Sequence, residues 1–123
     1  MKAFIATIIF IIAAQMLYSQ QTTPTRSDTI KLITSKWRIT QITTGGKDKL
    51  VPGNKFLMQF GADGIMTGTA DNNISKQKWK YDGHSHIILT FEKMTILKIN
   101  SDSMVCRRTV QNEAMTVYMV KTN

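Results

Sequence analysis

Eight short segments rich in β-branched, aromatic and methionine residues follow one another through most of the chain. They occupy residues 36–43, 54–60, 64–70, 75–81, 86–91, 94–99, 103–110 and 114–120. Most connections between them have hairpin length and contain turn residues such as Asp63 followed by Gly64, so consecutive segments should be antiparallel neighbours. Strands in this order can close on themselves and leave no exposed sheet edge. The sequence therefore predicts an all-β, eight-stranded antiparallel up-and-down barrel.

Two stretches depart from this strand pattern. The connection 44–53 contains three glycines and one proline, which resist regular structure, and we expect a mobile loop there at one mouth of the barrel. Before the first strand, Ser27 or Asp28 can cap a short helical turn that contains Ile30 and Ile33.

The N-terminus has the layout of a secretory signal peptide. Lys2 supplies a positive charge, an apolar run covers residues 3–14, and a more polar end carries Ser19. This run is shorter than the roughly 20 residues that a membrane-spanning helix needs. We therefore expect a signal peptide at 1–19, a flexible lead-in at 20–27 and the barrel domain at 28–123. The mature protein should then be exported to the periplasm or beyond the cell, without a stable membrane anchor.

The charge of the chain is strongly positive. Removal of residues 1–19 takes away Lys2 and no acid, which leaves 15 basic and eight acidic residues, or +7. Such a charge suits anionic neighbours, although a solvated basic surface that maintains solubility is the better explanation. We expect no nucleic-acid partner, because the basic residues are scattered and export removes the protein from most nucleic acid.

The stretch KQKWKYDGHSHIILTF, residues 76–91, alternates most regularly. Lys76, Lys78 and Lys80 share one face of a strand, and Trp79 lies on the other face. This pattern is typical of a hairpin with a basic outside and an apolar inside. The alternative is an anion-binding face for an anionic glycan or a lipid head group, where lysines act as poorly selective point charges.

Four further residues raise the question of chemistry. Asp82, His84 and His86 form a D-x-H-x-H run that could offer metal ligands, but the neighbouring lysines oppose a cation and no further partner is apparent. Cys106 lacks a histidine placed in sequence to activate it, and a single cysteine closes no internal disulfide. We therefore predict no catalytic residue, no metal and no cofactor, and hence no enzyme.

Because side chains alternate along a strand, every second residue of each predicted strand should face the barrel interior. Leu97 is among these predicted interior residues. From the barrel interior we predict a set of ligand-binding residues, with Arg108 holding an acidic head group: Trp37, Phe56, Met58, Trp79, Phe91 and Arg108. For Arg108 the alternative is that it reaches solvent at the barrel rim together with Arg107. Barrels of this size are either filled by their own side chains or hold one small ligand, and both outcomes stay open.

Four segments in order resemble the small secreted lipocalin-like domains of bacteria: TIKLITSKWRI, FLMQFGADGIMTG, KWKYDGHSHIILTF and ILKINSDSMVCRR. The shared features are a helical lead-in to Trp37, a hairpin from Phe60 through Asp63 and Gly64, and the tryptophan at position 79. The resemblance covers residues 28–121 and implies a calycin-type barrel. By analogy it also implies binding of a small apolar molecule.

Two functions are compatible with these observations. The first is a secreted, non-enzymatic binding protein that takes a small apolar or amphipathic ligand through the barrel end bordered by residues 44–53. The second is a barrel with a filled core that uses Lys76, Lys78 and Lys80 on its basic outer face to contact an anionic polymer or a protein partner.

Overall fold

The computed structural model describes residues 25–123, so the expected signal peptide and residues 20–24 lie outside the described residues. In this part of the chain no helix is long and apolar enough to cross a membrane. One helix precedes the strands, α1 (Arg26–Ile33). The strands are β1 (Lys36–Thr44), β2 (Lys47–Leu50), β3 (Phe56–Phe60), β4 (Ile65–Ala70), β5 (Asn73–Tyr81), β6 (His86–Leu89), β7 (Lys93–Ile99), β8 (Ser103–Val110) and β9 (Glu113–Thr122).

Eight of these strands form a closed barrel. Consecutive strands from β3 to β9 pair antiparallel, and β1 pairs with β3 on one side and with β9 on the other. The β1–β9 ladder runs from Lys36 opposite Thr122 to Thr44 opposite Met115. The predicted eight-stranded antiparallel up-and-down barrel is confirmed, together with the short helix before it.

The remaining strand, β2, lies in the segment predicted to be a mobile loop. Gly45 and Gly46 have φ angles of 59° and 78°, and they form the two-residue turn of a hairpin between β1 and β2. β2 then pairs with the second half of β1, and β3 pairs with the first half. The prediction of a loop over 44–53 is therefore wrong, because the two adjacent glycines mark a tight turn between two strands.

Helix α1 begins earlier than predicted. Thr25 is its N-cap: the Thr25 hydroxyl accepts from the Asp28 backbone N–H at 3.1 Å, and the Asp28 carboxylate accepts from the Thr25 N–H at 3.4 Å. This reciprocal pair satisfies two N–H groups that the helix itself leaves free. Asp28 therefore supports the cap from the first turn, and the cap is neither Ser27 nor Asp28. The helix also includes the last two residues of the expected lead-in at 20–27.

The helix closes one end of the barrel, which we call the closed end. Ile33 and Trp37 are fully buried there, and the Trp37 indole N–H donates to the Ile33 carbonyl at 3.0 Å. The Arg26 guanidinium donates to the Tyr81 carbonyl at 3.2 Å and ties α1 to the end of β5. The opposite end carries the turns β1–β2, β4–β5, β6–β7 and β8–β9, and we call it the open end.

A β-bulge changes the inward-facing set of β7. The register with β8 shifts between Ile96 and Lys98, so that Met94 and Ile96 are buried while Leu97 is 45% exposed. The prediction that Leu97 faces the interior is therefore wrong, because an extra residue at a bulge interrupts the alternation of a strand.

Candidate functional site

A cavity of about 420 Å³ lies in the half of the barrel near the open end. Its apolar lining comes from β1, β3 and β4, namely Ile39, Ile42, Phe56, Met58 and Met66. The volume falls within the range of roughly 300–1,000 Å³ that is usual for small-molecule sites. The barrel is thus filled at its closed end and hollow at its open end.

Small side chains create this space. Gly68 on β4 and Ser75 on β5 lie opposite each other in the ladder and both line the cavity. A Cβ at Gly68 would approach the Ser75 hydroxyl to 3.2 Å, so the two strands meet closely without filling the interior. At the closed end, by contrast, the large side chains of Trp37, Phe60 and Trp79 are buried and occupy the middle of the barrel.

One side of the cavity is polar. The Arg108 guanidinium donates from Nη2 to Glu92 Oε1 at 2.9 Å, and the two side chains are 28% and 20% exposed. Arg108 projects inward from β8, two residues beyond the buried Cys106, and Glu92 directly follows the β6–β7 turn. Nε of Arg108 is buried and has no hydrogen-bond partner among the described residues. The guanidinium and the carboxylate of this pair form the polar side of the cavity.

Gln77 extends the polar side along β5. Its side-chain oxygen accepts from the Thr90 backbone N–H at 3.1 Å, and both Gln77 and Ser75 line the cavity. The cavity is thus amphipathic, with hydrocarbon from β1, β3 and β4 on one side and polar groups from β5, β8 and Glu92 on the other.

The structure divides the predicted ligand-binding residues into three groups. Phe56, Met58 and Arg108 line the cavity. Trp37 and Trp79 are buried at the closed end: the Trp79 ring packs edge-on against Phe60 with centroids 5.3 Å apart, and its indole N–H donates to the Gly61 carbonyl at 2.9 Å. The two tryptophans therefore belong to the structural core and do not line the cavity.

Phe91 makes up the third group and lies outside the barrel, where its side chain is 90% exposed. β6 ends at Leu89, and the Leu89 N–H donates to the Glu92 carbonyl at 2.8 Å across a two-residue turn. The placement of Phe91 in the interior is therefore wrong, because the hairpin reverses two residues earlier than predicted and leaves Phe91 at its tip.

The two adjacent arginines have different environments. Arg107 is exposed on the outer face of β8, whereas Arg108 is half-buried and bound to Glu92. Arg107 therefore reaches solvent freely, whereas Arg108 is 28% exposed and is held by Glu92. Sequence reasoning missed Glu92 as its partner, although an inward-facing arginine requires a compensating group.

The lysine face on β5 consists of Lys76, Lys78 and Lys80, and all three side chains are exposed. The two ion pairs among residues 25–123 involve other residues, so these lysines carry uncompensated charge. The predicted position of the lysines on the outside is correct.

Asp82 organises the turn that follows β5. Its Oδ1 accepts from the backbone N–H groups of His84 at 2.7 Å and His86 at 3.0 Å, and its Oδ2 lies 2.7 Å from Nδ1 of His86. Desolvation raises the pKa of Asp82, but these hydrogen bonds outweigh it and lower the pKa to about 2. Among the residues that the structure describes, no three His, Cys, Asp or Glu side chains cluster as metal ligands would. The D-x-H-x-H run thus shapes a turn.

Cys106 lies in the barrel core beneath Arg108. Burial raises the pKa of its thiol to about 12, so the thiol is neutral at physiological pH. A neutral, buried thiol is a small apolar packing group and a poor nucleophile.

The fold and the cavity are compatible with a binding protein. Comparison with models of known protein families and with curated proteins found no match. The resemblance to bacterial lipocalin-like domains therefore stays a prediction, and functional argument rests on the cavity and the surface.

Proposed function

We propose that this protein is an exported, non-enzymatic binding protein that takes one small amphipathic ligand in the cavity at the open end. The observation that carries the proposal is the cavity of about 420 Å³, in which the Arg108–Glu92 pair lies beside an apolar wall. Burial of the ligand's hydrocarbon would provide the affinity, at about 25 cal/mol per Å² of apolar surface removed from water. The polar side would orient the ligand.

The Arg108–Glu92 pair narrows the chemistry of the head group. Glu92 already compensates the charge of Arg108, so a carboxylate head group would meet the like charge of Glu92 or have to displace it. A neutral oxygen, such as a hydroxyl or carbonyl, can accept from a guanidinium N–H that Glu92 leaves unused while the pair stays intact. We therefore favour a neutral polar head group over the acidic one that the sequence suggested.

Binding without catalysis is supported by the state of the cavity's reactive groups. Cys106 holds a neutral thiol below the cavity floor, and Glu92 is engaged by Arg108. Export to the periplasm or beyond the cell follows from the predicted signal peptide at 1–19 and is part of the proposal.

Native mass spectrometry of residues 20–123, purified gently from the natural host, tests the proposal directly. We expect an additional mass that disappears when the sample is denatured, and this mass would identify the ligand. Arg108→Met should lose the additional mass, whereas the matched variant Arg107→Met, which removes an equal charge from the outer face, should keep it.

A second experiment addresses the cavity itself. Ile42→Trp would fill the cavity from the inner face of β1, and Thr109→Trp would place the same side chain on the outside of β8. Fatty alcohols should bind to the wild type and to Thr109→Trp, but not to Ile42→Trp, and should bind more tightly than fatty acids of equal length. Absence of a co-purified mass, together with no uptake of fatty alcohols, fatty acids, sterols or isoprenoids, would refute the proposal.

A further inference from the structure

The barrel wall is incomplete beside the first part of β5. On one side β5 pairs with β4 along its whole first part, from Asn73 opposite Ala70 to Lys78 opposite Ile65. On the other side β6 pairs only with Trp79, Lys80 and Tyr81, because β6 is four residues long. Residues 73–78 of β5 therefore have a strand neighbour on one side only, and we call their free side the β5 edge.

The backbone groups at the β5 edge can be assigned from the ladder. The Trp79 N–H donates to the Gly64 carbonyl, which means that odd-numbered residues of β5 bond to the β4 side. The N–H and C=O groups of the even-numbered residues Ile74, Lys76 and Lys78 consequently point toward the edge. Among residues 25–123 these groups have no backbone hydrogen-bond partner.

A side chain interrupts the ladder where it would otherwise continue. In a longer β6, Thr90 would lie opposite Lys78 and their backbones would bond to each other. Instead, the Thr90 N–H donates to the Gln77 side chain at 3.1 Å, and the chain turns away toward β7. Gln77 thus ends the β5–β6 ladder and leaves the edge free for another strand.

The side chains beside this edge favour an acidic partner. Lys76 and Lys78 lie on the outer face of the edge, Lys80 continues their row, and none of the three has an ion-pair partner in the described part of the chain. Phe91, 90% exposed, lies close by and lines a shallow groove with both edge lysines. A strand added here would place every second side chain beside the lysine row.

A second copy of this protein is a poor occupant. An antiparallel pair of two β5 edges would set one lysine row against the other, and like charges on facing strands are destabilising. β2 also has a free side, but it is only four residues long and its lysines alternate with Asp48, which accepts from the Thr43 hydroxyl at 2.7 Å. The β5 edge is longer, and its two charged residues, Lys76 and Lys78, are both basic.

We propose that the β5 edge binds an extended acidic segment of another protein, which adds to the sheet as a strand with acidic side chains at every second position. The backbone of Ile74, Lys76 and Lys78 supplies hydrogen bonds, and the lysine row selects the alternating acids. The β5 edge borders the cavity, because Ile74 also lines it. Strand addition is therefore separated from ligand binding by repeating the peptide titration with Ile42→Trp, in which the cavity is filled but the β5 edge is unchanged.

Backbone amide NMR of the wild type with a synthetic peptide tests strand addition. The probe is a blocked peptide of about nine residues in which threonine and glutamate alternate, long enough for an edge of roughly 20 Å at about 3.3 Å per residue. Amides of Ile74, Lys76 and Lys78 should exchange rapidly in the free protein and become protected with the peptide. Amides of Ser75 and Gln77, which bond to β4, should be protected in both states. A peptide of the same composition with all glutamates at one end should bind at least about fivefold more weakly.

Two substitutions of Lys76 distinguish the contribution of its backbone N–H to peptide binding from the contribution of its side-chain charge. Lys76→Gln keeps the N–H and removes the charge, and it should weaken binding about threefold. Lys76→Pro also removes the N–H at the edge without breaking a bond to β4, and it should weaken binding at least about tenfold. Ile74→Pro tests the same point near the start of β5, should Lys76→Pro impair folding. Lys49→Gln on β2 is the control and should leave the affinity unchanged.

The alternative is that the lysines only prevent the edge from pairing. In that case both peptides would bind equally, Lys76→Pro and Lys76→Gln would have equal effects, and no amide would become protected. Any one of these three results would overturn the proposal. If a sulfated polysaccharide bound to the protein, and Lys76→Pro weakened that binding no more than Lys76→Gln, the lysine row would be assigned to an anionic glycan instead.

Discussion

The guanidinium of Arg108 lies 2.9 Å from the carboxylate of Glu92, although the two residues are 16 positions apart in the chain. This contact ties the β6–β7 turn to β8 and forms the polar side of the cavity. Because both side chains are less than one-third exposed, each depends on the other for compensation of its charge. The pair therefore links the stability of the barrel to the chemistry of its cavity.

The first prediction concerns this dependence. Glu92→Gln and Arg108→Met should each lower the free energy of unfolding by about 1–2 kcal/mol, since each leaves a partly buried charge unpaired. The double variant Arg108→Met/Glu92→Met should recover most of that loss, because both charges are removed and apolar atoms replace them. Urea denaturation measures all three variants, with Arg107→Met as a control that should stay within about 0.5 kcal/mol of the wild type. Losses that simply add in the double variant would contradict the coupling.

The second prediction separates the core from the cavity. Trp79→Ala should lower the free energy of unfolding by about 3–5 kcal/mol, because it empties the closed end and removes the hydrogen bond to Gly61. Phe56→Ala removes a partly buried side chain beside an existing cavity, so it should cost less stability and weaken ligand binding instead. Denaturation and ligand titration of both variants test this division. A Trp79→Phe variant that keeps both full stability and full affinity would show that the indole hydrogen bond matters to neither property.

The alternation of apolar residues was sufficient to predict the barrel, because each strand has one face toward the core and short turns force neighbours to be antiparallel. Alternation does not show where a hairpin reverses. Phe91 continues the pattern in which every second residue, Ile87 and then Leu89, is apolar. The two-residue turn nevertheless places Phe91 at the tip of the β6–β7 hairpin. Leu97 was misplaced for a related reason, since a single-residue bulge is not visible in the hydrophobic pattern.

The cavity was harder to predict than the barrel. Its volume depends on Gly68 and Ser75 lying opposite each other, which is a matter of register between β4 and β5. Its polar side depends on Glu92 reaching Arg108 just beyond the end of the β7–β8 ladder, a contact that the register of that hairpin creates. The alternation of side chains along β8 was enough to predict that Arg108 faces inward. An inward-facing arginine needs a compensating charge, and this requirement was the sign in the sequence that an acidic partner lies nearby.

The third prediction concerns acid stability. The hydrogen bonds to Asp82 lower its pKa to about 2, below the ordinary 3.8, so its carboxylate stabilises the fold above about pH 4. That contribution is lost as the pH falls toward 2. Asp82→Asn should therefore be less stable than the wild type at pH 6, and the two should converge near pH 2. Thermal unfolding between pH 2 and pH 6 measures this, with Asp71→Asn in another turn as a control for the loss of one acid. Parallel curves for Asp82→Asn and the wild type would exclude the proposed role.

The fourth prediction concerns Cys106. Burial raises the pKa of its thiol to about 12 from the ordinary 9.0, so the native protein should resist thiol reagents at pH 8 and react fully in denaturant. The folded thiol stays protonated while the unfolded one ionises, so the contribution of Cys106 to stability should be complete below about pH 9 and decline above it.

Two substitutions test the packing role of the same residue. Cys106→Ser would bury a hydroxyl and should cost about 1–3 kcal/mol, whereas Cys106→Val keeps an apolar group and should cost less. Rapid labelling of the native protein, or equal losses for serine and valine, would contradict a buried, inert thiol.

The fifth prediction concerns the turn between β8 and β9. Gln111 and Asn112 have φ angles of 53° and 67°, and they connect Val110 to its ladder partner Glu113. Two consecutive residues with positive φ define a type I′ turn, which favours Asn followed by Gly. Glutamine has no local hydrogen bond to offset the strain of this conformation, unlike asparagine.

The double variant Gln111→Asn/Asn112→Gly should therefore raise the free energy of unfolding by about 0.5–1 kcal/mol. Gln111→Val should lower it, because a β-branched side chain tolerates positive φ poorly. Urea denaturation compares the two variants, and an unchanged midpoint for the Asn–Gly turn would show that the turn conformation does not limit stability.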